Sequence, residues 1–336
     1  MVIENDFTRM LNIKFPIIMA PMFLVSNEAM MKEAMNVGIA GAFPSLNFRK
    51  EEELEIILNN LNEFKRTPPP KGNYGINLIV QKTNIYYEKH LKICVDKKVP
   101  FYITSLGNPK DVIEAAHSYG AKVFCDVTNI THAEKSASYN CDGFIAVGQG
   151  AGGHAGPYPL QVLIPTLKKH FPTIPVIAAG GIADGYGIAS VLTAGASGIS
   201  IGTRFIASNE SKVSDEYKNA IVNASMDDII MTTRLSGTPS NIINTPYAQK
   251  IGTKQNWLER YLSNHKSTKK YFRMLVQIKG MKSLEQAIIP GSYKTLWEAG
   301  QSVELIKDIM PCKEIIERLI NETEIAIKEL NNEIKL

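Results

Sequence analysis

CDGFIAVGQGAGGHAGPYPL at 141–160 and PVIAAGGIADGYGIASVLTAGASGISIGTRF at 175–205 decide the fold. These two segments contain short apolar runs, typical of strands that are buried on both faces of a parallel sheet. Each run ends in a glycine-rich turn, and parallel α/β proteins bind their ligands at that end of the strands. The predicted strands are Gly143–Val147, Pro175–Ala179 and Gly198–Ile201.

The same alternation of apolar runs and helical patterns fills the chain before this stretch. Five earlier runs predict strands at Pro16–Met22, Ile39–Phe43, Gly75–Val80, Pro100–Ser105 and Lys122–Val127. Eight strands alternating with helices over about 200 residues is the number expected for a (β/α)8 TIM barrel. A doubly wound sheet is the alternative fold, although it rarely contains eight evenly spaced units.

The alternation breaks after the eighth predicted strand. Short helical patterns follow, with a polar, turn-rich segment at 232–245 between them. We therefore interpret 208–300 as a mostly helical insertion, or lid, over the mouth of the barrel. The barrel itself is predicted to comprise 1–207 and 301–336, because an amphipathic helix at the end of the chain returns to the barrel wall.

Composition limits the classes of function. The formal net charge of +4 is too small to indicate nucleic-acid binding. The four cysteines form no CxxC pair, which favours reduced thiols and gives no metal motif. No signal peptide is apparent, and no apolar run approaches the roughly 20 residues of a membrane span. We expect a cytoplasmic monomer or homodimer that acts on a small molecule, away from membranes.

Glycines after the last two predicted barrel strands favour an anion site. Gly180, Gly181 and Gly202 let backbone amides approach a ligand closely, and Thr203 follows directly. The helix N-termini nearby add amide donors and the positive ends of their dipoles. His154 lies in the glycine-rich loop after the sixth strand, so a titratable imidazole is expected beside this phosphate site.

Several motifs together resemble the nitronate monooxygenase family, formerly called 2-nitropropane dioxygenase. That family consists of FMN-dependent TIM barrels, and the resemblance covers most of the chain. It is nearest to the subgroup with the APMFLVS run, some of whose members are NAD(P)H:quinone reductases. A related branch reduces enoyl-acyl carrier protein. The motifs are APMFLVS at 20–26, GINLIV at 75–80, QGAGGHAG at 149–156, AAGGI at 178–182, IGTRF at 201–205 and GSYKTLWEAGQ at 291–301.

The resemblance implies an FMN site at the ends of the barrel strands. Its phosphate would bind the amides after strands seven and eight, its ring would pack on the APM run, and Asn77 would bond the ring's polar edge. Three alternatives stay open. Asn77 could face outward, and Asp126 could be a helix cap or a structural residue. Arg204 could form a structural ion pair instead of a phosphate contact. The expected contacts are Ala20, Pro21, Met22, Asn77, Asp126, Gln149, Gly150, Ala179, Gly180, Gly181, Gly202 and Thr203.

The resemblance also implies two catalytic residues. His154 would act as a base on a neutral nitroalkane or hold an anionic nitronate. Ser292 resembles the family serine that faces the flavin and the nitro group, with an ordinary turn serine as the alternative. The histidines show no metal-binding spacing, so no metal is predicted. Six Lys/Arg and no acid at 264–282 indicate a solvated lid face, or attraction of an anionic ligand such as a pyridine dinucleotide.

Two activities remain open on this scaffold. In the first, a nitronate monooxygenase uses FMN and O2 to convert alkyl nitronates or nitroalkanes to a carbonyl compound and nitrite. In the second, NAD(P)H reduces the flavin and a quinone takes the electrons. Enoyl-acyl carrier protein reduction and a non-catalytic flavin-binding barrel are further alternatives. We expect the monooxygenase, while the two activities share fold, cofactor and most site residues, so that the sequence separates them poorly. His154, in the loop that matches the family's histidine, argues against the non-catalytic barrel.

Overall fold

The computed structural model describes residues 3–66, 71–81, 83–233, 238–253 and 296–334. All of its strands except β7, β10 and β11 close into one parallel barrel, with β9 pairing back to β1. The predicted (β/α)8 barrel is therefore confirmed. In chain order the strands are β1 (Ile17–Met19), β2 (Ala40–Pro44), β3 (Asn73–Ile79), β4 (Phe101–Ser105), β5 (Lys122–Val127), β6 (Gly143–Val147), β7 (Gly153–His154), β8 (Val176–Ala179), β9 (Gly198–Ile201), β10 (Ile229–Thr232) and β11 (Ser240–Ile243).

Helices surround the barrel and cover the outer faces of its strands. Asn27 begins α2 by accepting hydrogen bonds from two backbone N–H groups, and Gly38 ends it. The last helix, α12, packs against α2 and α8. Within the described ranges, no helix is both long and apolar enough to cross a membrane. The helices are α1 (Asp6–Leu11), α2 (Glu28–Val37), α3 (Glu51–Arg66), α4 (Tyr87–Asp96), α5 (Lys110–His117), α6 (Ile130–Ala137), α7 (Leu160–His170), α8 (Gly185–Thr193), α9 (Thr203–Ile206), α10 (Asp215–Asn223), α11 (Pro246–Ile251) and α12 (Cys312–Glu333).

Aromatic rings close the amino-terminal end of the barrel. Phe7 of α1 is fully buried and meets Phe124 edge to face, with ring centroids 5.6 Å apart. Phe101 contacts the other side of Phe124 in the same geometry. A Cβ added at Gly198 would lie 2.5 Å from the Phe7 ring, so this strand needs glycine where the plug enters. With one end plugged, a ligand site belongs at the carboxyl ends of the strands.

A small antiparallel sheet stands beside that open end. β11 pairs with β10 on one edge and with β7 on the other, which places Ser240 opposite His154. The sequence predicts a polar, turn-rich segment here, and the structure instead forms the strand β11. All four of its residues are buried, so the sequence lacks the alternation of polar and apolar residues that marks a half-exposed strand. The insertion thus contains strands as well as the helices α10 and α11. Its remainder at 254–295 lies outside the described residues, and the proposed domain division stays a prediction.

The aromatic plug should contribute strongly to stability. We expect Phe7→Ala to lower the free energy of unfolding by about 3–5 kcal/mol, because it empties a fully buried ring site. Urea denaturation measures this loss. Ile56→Ala is the matched control, since Ile56 is 59% exposed and its truncation should change stability by less than about 0.5 kcal/mol. Equal losses in the two variants would contradict the plug.

Candidate active site

A row of polar side chains crosses three neighbouring strands at the open end of the barrel. The Asn77 amide on β3 donates hydrogen bonds to the Ile103 carbonyl oxygen (3.1 Å) and to Ser105 Oγ (2.8 Å). Ser105 on β4 in turn donates to Asp126 Oδ2 on β5 (2.5 Å). Asn77 is therefore turned inward and buried. Asp126 is not a helix cap, because the residue that caps α6 is Asn129. The sequence pattern does not predict Ser105 as a site residue, although its position at the end of β4 parallels that of Asp126 on β5.

The Asp126 carboxyl is the acidic end of this row. Burial raises its pKa to about 6, against the lowering effect of the Ser105 hydrogen bond. It is therefore ionised at neutral pH in a half-buried position. Within the described chain it accepts a hydrogen bond from Ser105 alone. Its remaining lone pairs are available to an N–H donor of a ligand.

Three loops meet backbone to backbone at the same end of the barrel. Gly150, in the loop after β6, lies so close to Gly181 after β8 that a Cβ on Gly150 would be 2.9 Å from the Gly181 Cα. Gly300 belongs to the third segment, and a Cβ there would collide with the Gly150 carbonyl oxygen. Glycine is required at Gly150 and Gly300 because a side chain at either position would collide with the backbone of the neighbouring loop. The predicted ligands Gly150 and Gly181 are thus brought together.

The insertion fixes the loop after β6. Asn241 of β11 is buried, and its amide donates hydrogen bonds to the carbonyl oxygens of Gln149 (3.0 Å) and Ala151 (2.8 Å). Both acceptors flank Gly150, while the Gln149 side chain remains exposed. Asn241 acts from 90 residues away along the chain. No local pattern in the sequence marks it for this role.

The loop after β1 forms a second, less polar wall. Ala20, Pro21 and Met22 are half-buried there. Ser26 holds this loop by accepting a hydrogen bond from the Met22 N–H (2.9 Å) and donating one to the Ala20 carbonyl oxygen (3.2 Å). A Cβ on Gly202 would lie 3.6 Å from the Ala20 Cβ, so the loops after β1 and β9 adjoin.

Unpaired backbone amides cluster at the ends of β8 and β9. Within the described chain, no hydrogen bond engages the N–H groups of Gly180, Gly181, Gly202 or Thr203. Ala179, at the end of β8, is half-buried beside them. A Cβ on Gly181 would meet only the Gly150 Cα, at 3.7 Å, so this side of the turn is open. Such a group of amide donors suits an anion.

The two side chains that follow Gly202 serve the framework. The Thr203 hydroxyl accepts a hydrogen bond from the Gly300 N–H (3.0 Å), which ties the third loop to the end of β9. Arg204 is 4% exposed, and its guanidinium binds the Asp308 carboxylate (2.5 Å) and carbonyl oxygen (3.0 Å). Of the two roles considered for Arg204, the geometry supports the structural ion pair.

His154 lies on β7 at the edge of the glycine loop. Its side chain reaches solvent, yet the protein around it lowers the pKa of the imidazole through burial. The ring is therefore neutral at physiological pH and able to accept a proton. Its strand pairing with Ser240 fixes its backbone at the end of the loop that contains Gly150.

Glu298 is a second titratable group at this loop, and the sequence pattern does not predict it. Its carboxyl lies over Gly153, where an added Cβ would be 3.2 Å from both carboxyl oxygens. Burial raises the pKa of this carboxyl to about 7. The available signal was one acid within the otherwise uncharged LWEAG segment. Ser292 and the basic stretch at 264–282 lie outside the described residues, so their predicted roles stay predictions.

Known proteins share this architecture over its whole length. A family model described as nitronate monooxygenase matches residues 49–322. The structure of FabK from Thermotoga maritima is 30% identical, covers 99% of this chain and 100% of its own, and superposes with a TM-score of 0.84. A probable nitronate monooxygenase of Staphylococcus saprophyticus is 27% identical over 75% of this chain and 81% of its own. A hydroxy-methyl-oxo-octahydroindene carboxyl-CoA dehydrogenase of Mycobacterium tuberculosis is 24% identical over 95% of both chains.

The barrel with its glycine-lined mouth defines a TIM-barrel oxidoreductase. The chain belongs to the nitronate monooxygenase family, as its motifs indicate. Its relatives nevertheless include a protein named for dehydrogenation of a CoA thioester, so the family alone does not define the substrate.

Asp126 should make stability depend on pH. Because burial raises its folded-state pKa from 3.8 to about 6, the wild type loses stability as pH rises between these values. Asp126→Asn removes this cost, so its advantage should grow from near zero below about pH 3 to about 2–3 kcal/mol at about pH 7. Urea denaturation of the ligand-free proteins measures the difference. An advantage that is constant with pH would contradict the buried carboxylate.

Proposed function

We propose that this protein is an FMN-dependent oxidoreductase that oxidises nitroalkanes and their nitronates with O2, giving a carbonyl compound and nitrite. The observation that carries the proposal is the neutral imidazole of His154. Its loop packs at Gly150 against Gly181, whose backbone N–H belongs to a group of amides without a hydrogen-bond partner in the described chain. The family membership supports the reaction class. A proton acceptor beside an anion site is what removal of an acidic C–H proton requires.

The amides at the ends of β8 and β9 fit the FMN phosphate. Gly180, Gly181, Gly202 and Thr203 offer N–H donors that have no partner within the described residues. The open side of Gly181 leaves room for the phosphate oxygens. The anion would thus be held by backbone dipoles at the usual phosphate position of a TIM barrel.

The two walls of the mouth fit the isoalloxazine ring. The half-buried Ala20, Pro21 and Met22 would cover one region of the ring, because they present apolar surface next to Gly202. Asn77 and Asp126 would face its polar edge, where the carboxylate accepts a hydrogen bond from a ring N–H. When bound, FMN supplies the electron acceptor for the substrate carbanion and returns electrons to O2.

His154 would perform the proton transfer. Because its pKa is lowered, the imidazole is unprotonated at neutral pH and takes the proton from the carbon that bears the nitro group. The electron pair of that C–H bond then delocalises onto the nitro oxygens as the nitronate. A preformed nitronate needs no such step, which gives the proposal a direct test.

Reduction of an enoyl thioester by NAD(P)H is the second candidate. The resemblance to the family branch that reduces enoyl-acyl carrier protein favours it, as does the similarity to a carboxyl-CoA dehydrogenase. In this reaction a protonated His154 would donate a proton instead of accepting one. The low pKa of His154 favours the accepting role. NAD(P)H:quinone reduction remains a third possibility on the same site.

The phosphate site is tested by charge. Gly181→Asp should yield colourless protein, because its carboxylate would repel the FMN phosphate. Gly120→Asp is the matched control, since both glycines have positive φ (75° and 85°) and Gly120 has open space around it. The control should stay yellow with full FMN occupancy. Full occupancy in Gly181→Asp would refute the phosphate placement.

The base is tested by comparing 2-nitropropane with propyl-2-nitronate. His154→Asn should lower kcat/KM for the neutral nitroalkane by about 10²–10⁴-fold, the usual contribution of a general base. Activity on the preformed nitronate should largely survive. His170→Asn, at another exposed histidine on α7, should leave both activities unchanged. Equal activity of His154→Asn and wild type on 2-nitropropane would exclude the base.

A further inference from the structure

Backbone pairing fixes Glu298 at the loop that carries His154. The segment around Glu298 runs along the edge of β11 in line with β7, so that Glu298 bridges to Ile242 next to the Asn241–Gly153 pair. The Trp297 carbonyl oxygen accepts a hydrogen bond from the Ile243 N–H (2.8 Å). Glu298 is thus held by the same strand that holds His154.

The flanking aromatic residues anchor this segment. Trp297 stacks on Tyr217 of α10, with ring centroids 5.4 Å apart and planes 9° apart. The Tyr217 hydroxyl donates a hydrogen bond to the Glu298 carbonyl oxygen (2.5 Å). The carboxyl of Glu298 lies over Gly153, which has a φ of 64° and no side chain to displace it. The acid therefore occupies the space over the residue directly before His154.

Two titratable groups adjoin Glu298 among the described residues: Tyr217, whose hydroxyl binds the Glu298 carbonyl oxygen, and His154, which directly follows Gly153. Helix α10 also carries Asp215, Glu216 and Lys218, and within the described chain none of them forms a hydrogen bond or ion pair with Glu298. Burial raises the pKa of Tyr217 well above its usual value, so this phenol stays neutral. Burial also disfavours the charged form of Glu298 and of His154 when each is alone. A carboxylate and an imidazolium formed together offset part of that cost.

We propose that Glu298 is a positioning residue whose carboxylate strengthens His154 as a base and directs the site to neutral nitroalkanes in preference to preformed nitronate anions. This inference rests on the proposed function of His154. The substrate proton moves from carbon to an imidazole nitrogen, and the electron pair stays on the nitronate. The imidazolium then develops beside the Glu298 carboxylate, which stabilises it. The same carboxylate repels a substrate that arrives as an anion.

The pH dependence follows from this pairing. Glu298 ionises at about pH 7, so the active pair, carboxylate with neutral imidazole, accumulates as pH rises through that value. Wild-type kcat/KM for 2-nitropropane should therefore rise through about pH 7. Glu298→Gln keeps the shape but removes the charge, and should lose this rise and about tenfold in kcat/KM above it. Its kcat/KM for propyl-2-nitronate should stay equal or increase.

NMR titration of the His154 ring tests the pairing without any turnover. Glu298 titrates at about pH 7, above the lowered pKa of His154, so the wild-type His154 ring signals should show a step at about pH 7 that reports the neighbouring carboxylate. This step should vanish in Glu298→Gln and persist in Glu298→Asp, which keeps the charge. A wild-type ring that shows no step near pH 7, or an unchanged ratio of the two substrates in Glu298→Gln, would overturn the proposal. The step in a protein that oxidises neither substrate would support the pairing and reject the proposed function.

Discussion

Close packing of glycine backbones at the mouth of the barrel is the constraint on which the site depends. Gly150, Gly181 and Gly300 come from three different loops, and no side chain fits at Gly150 or Gly300. Their contact sets the distance between the loop that leads to His154 and the amides at the end of β8. A side chain at Gly150 or Gly300 would push these loops apart and separate the imidazole from the proposed anion site.

Burial gives the same mouth its acid–base character. Asp126 has a pKa raised to about 6, Glu298 one raised to about 7, and His154 one lowered from its usual value. All three shifts have burial as their largest cause, and each favours the uncharged form. The result is a site in which proton transfers near neutral pH cost little, as is common where enzymes handle protons.

The barrel could be predicted from the sequence because strands buried on both faces form short apolar runs. Gly143–Val147 and Gly198–Ile201 are predicted with the bounds that the structure has. β11 was not predicted, since its polar residues Ser240 and Asn241 are buried by contacts with a distant loop. A single-sequence pattern contains no signal for such tertiary burial.

The site was predictable to the extent that its residues stand in motifs. Glycine turns after strands mark the proposed anion site, and a histidine within such a loop marks the proposed base. Ser105 and Glu298 lack a motif, because their roles come from Asp126 and Gly153 on other elements. The sequence could not decide between the two roles considered for Arg204, because its ion-pair partner Asp308 lies 104 residues away along the chain.

Reduction of the bound flavin without oxygen tests the central claim most directly. The purified protein is mixed anaerobically with 2-nitropropane, propyl-2-nitronate, NADH or NADPH, each alone, while the yellow absorbance is followed. Oxidation of nitroalkanes predicts that 2-nitropropane and its nitronate bleach the flavin without any nicotinamide. Bleaching by NADH or NADPH alone, with no response to either nitro compound, would contradict the account and identify a nicotinamide-dependent reductase.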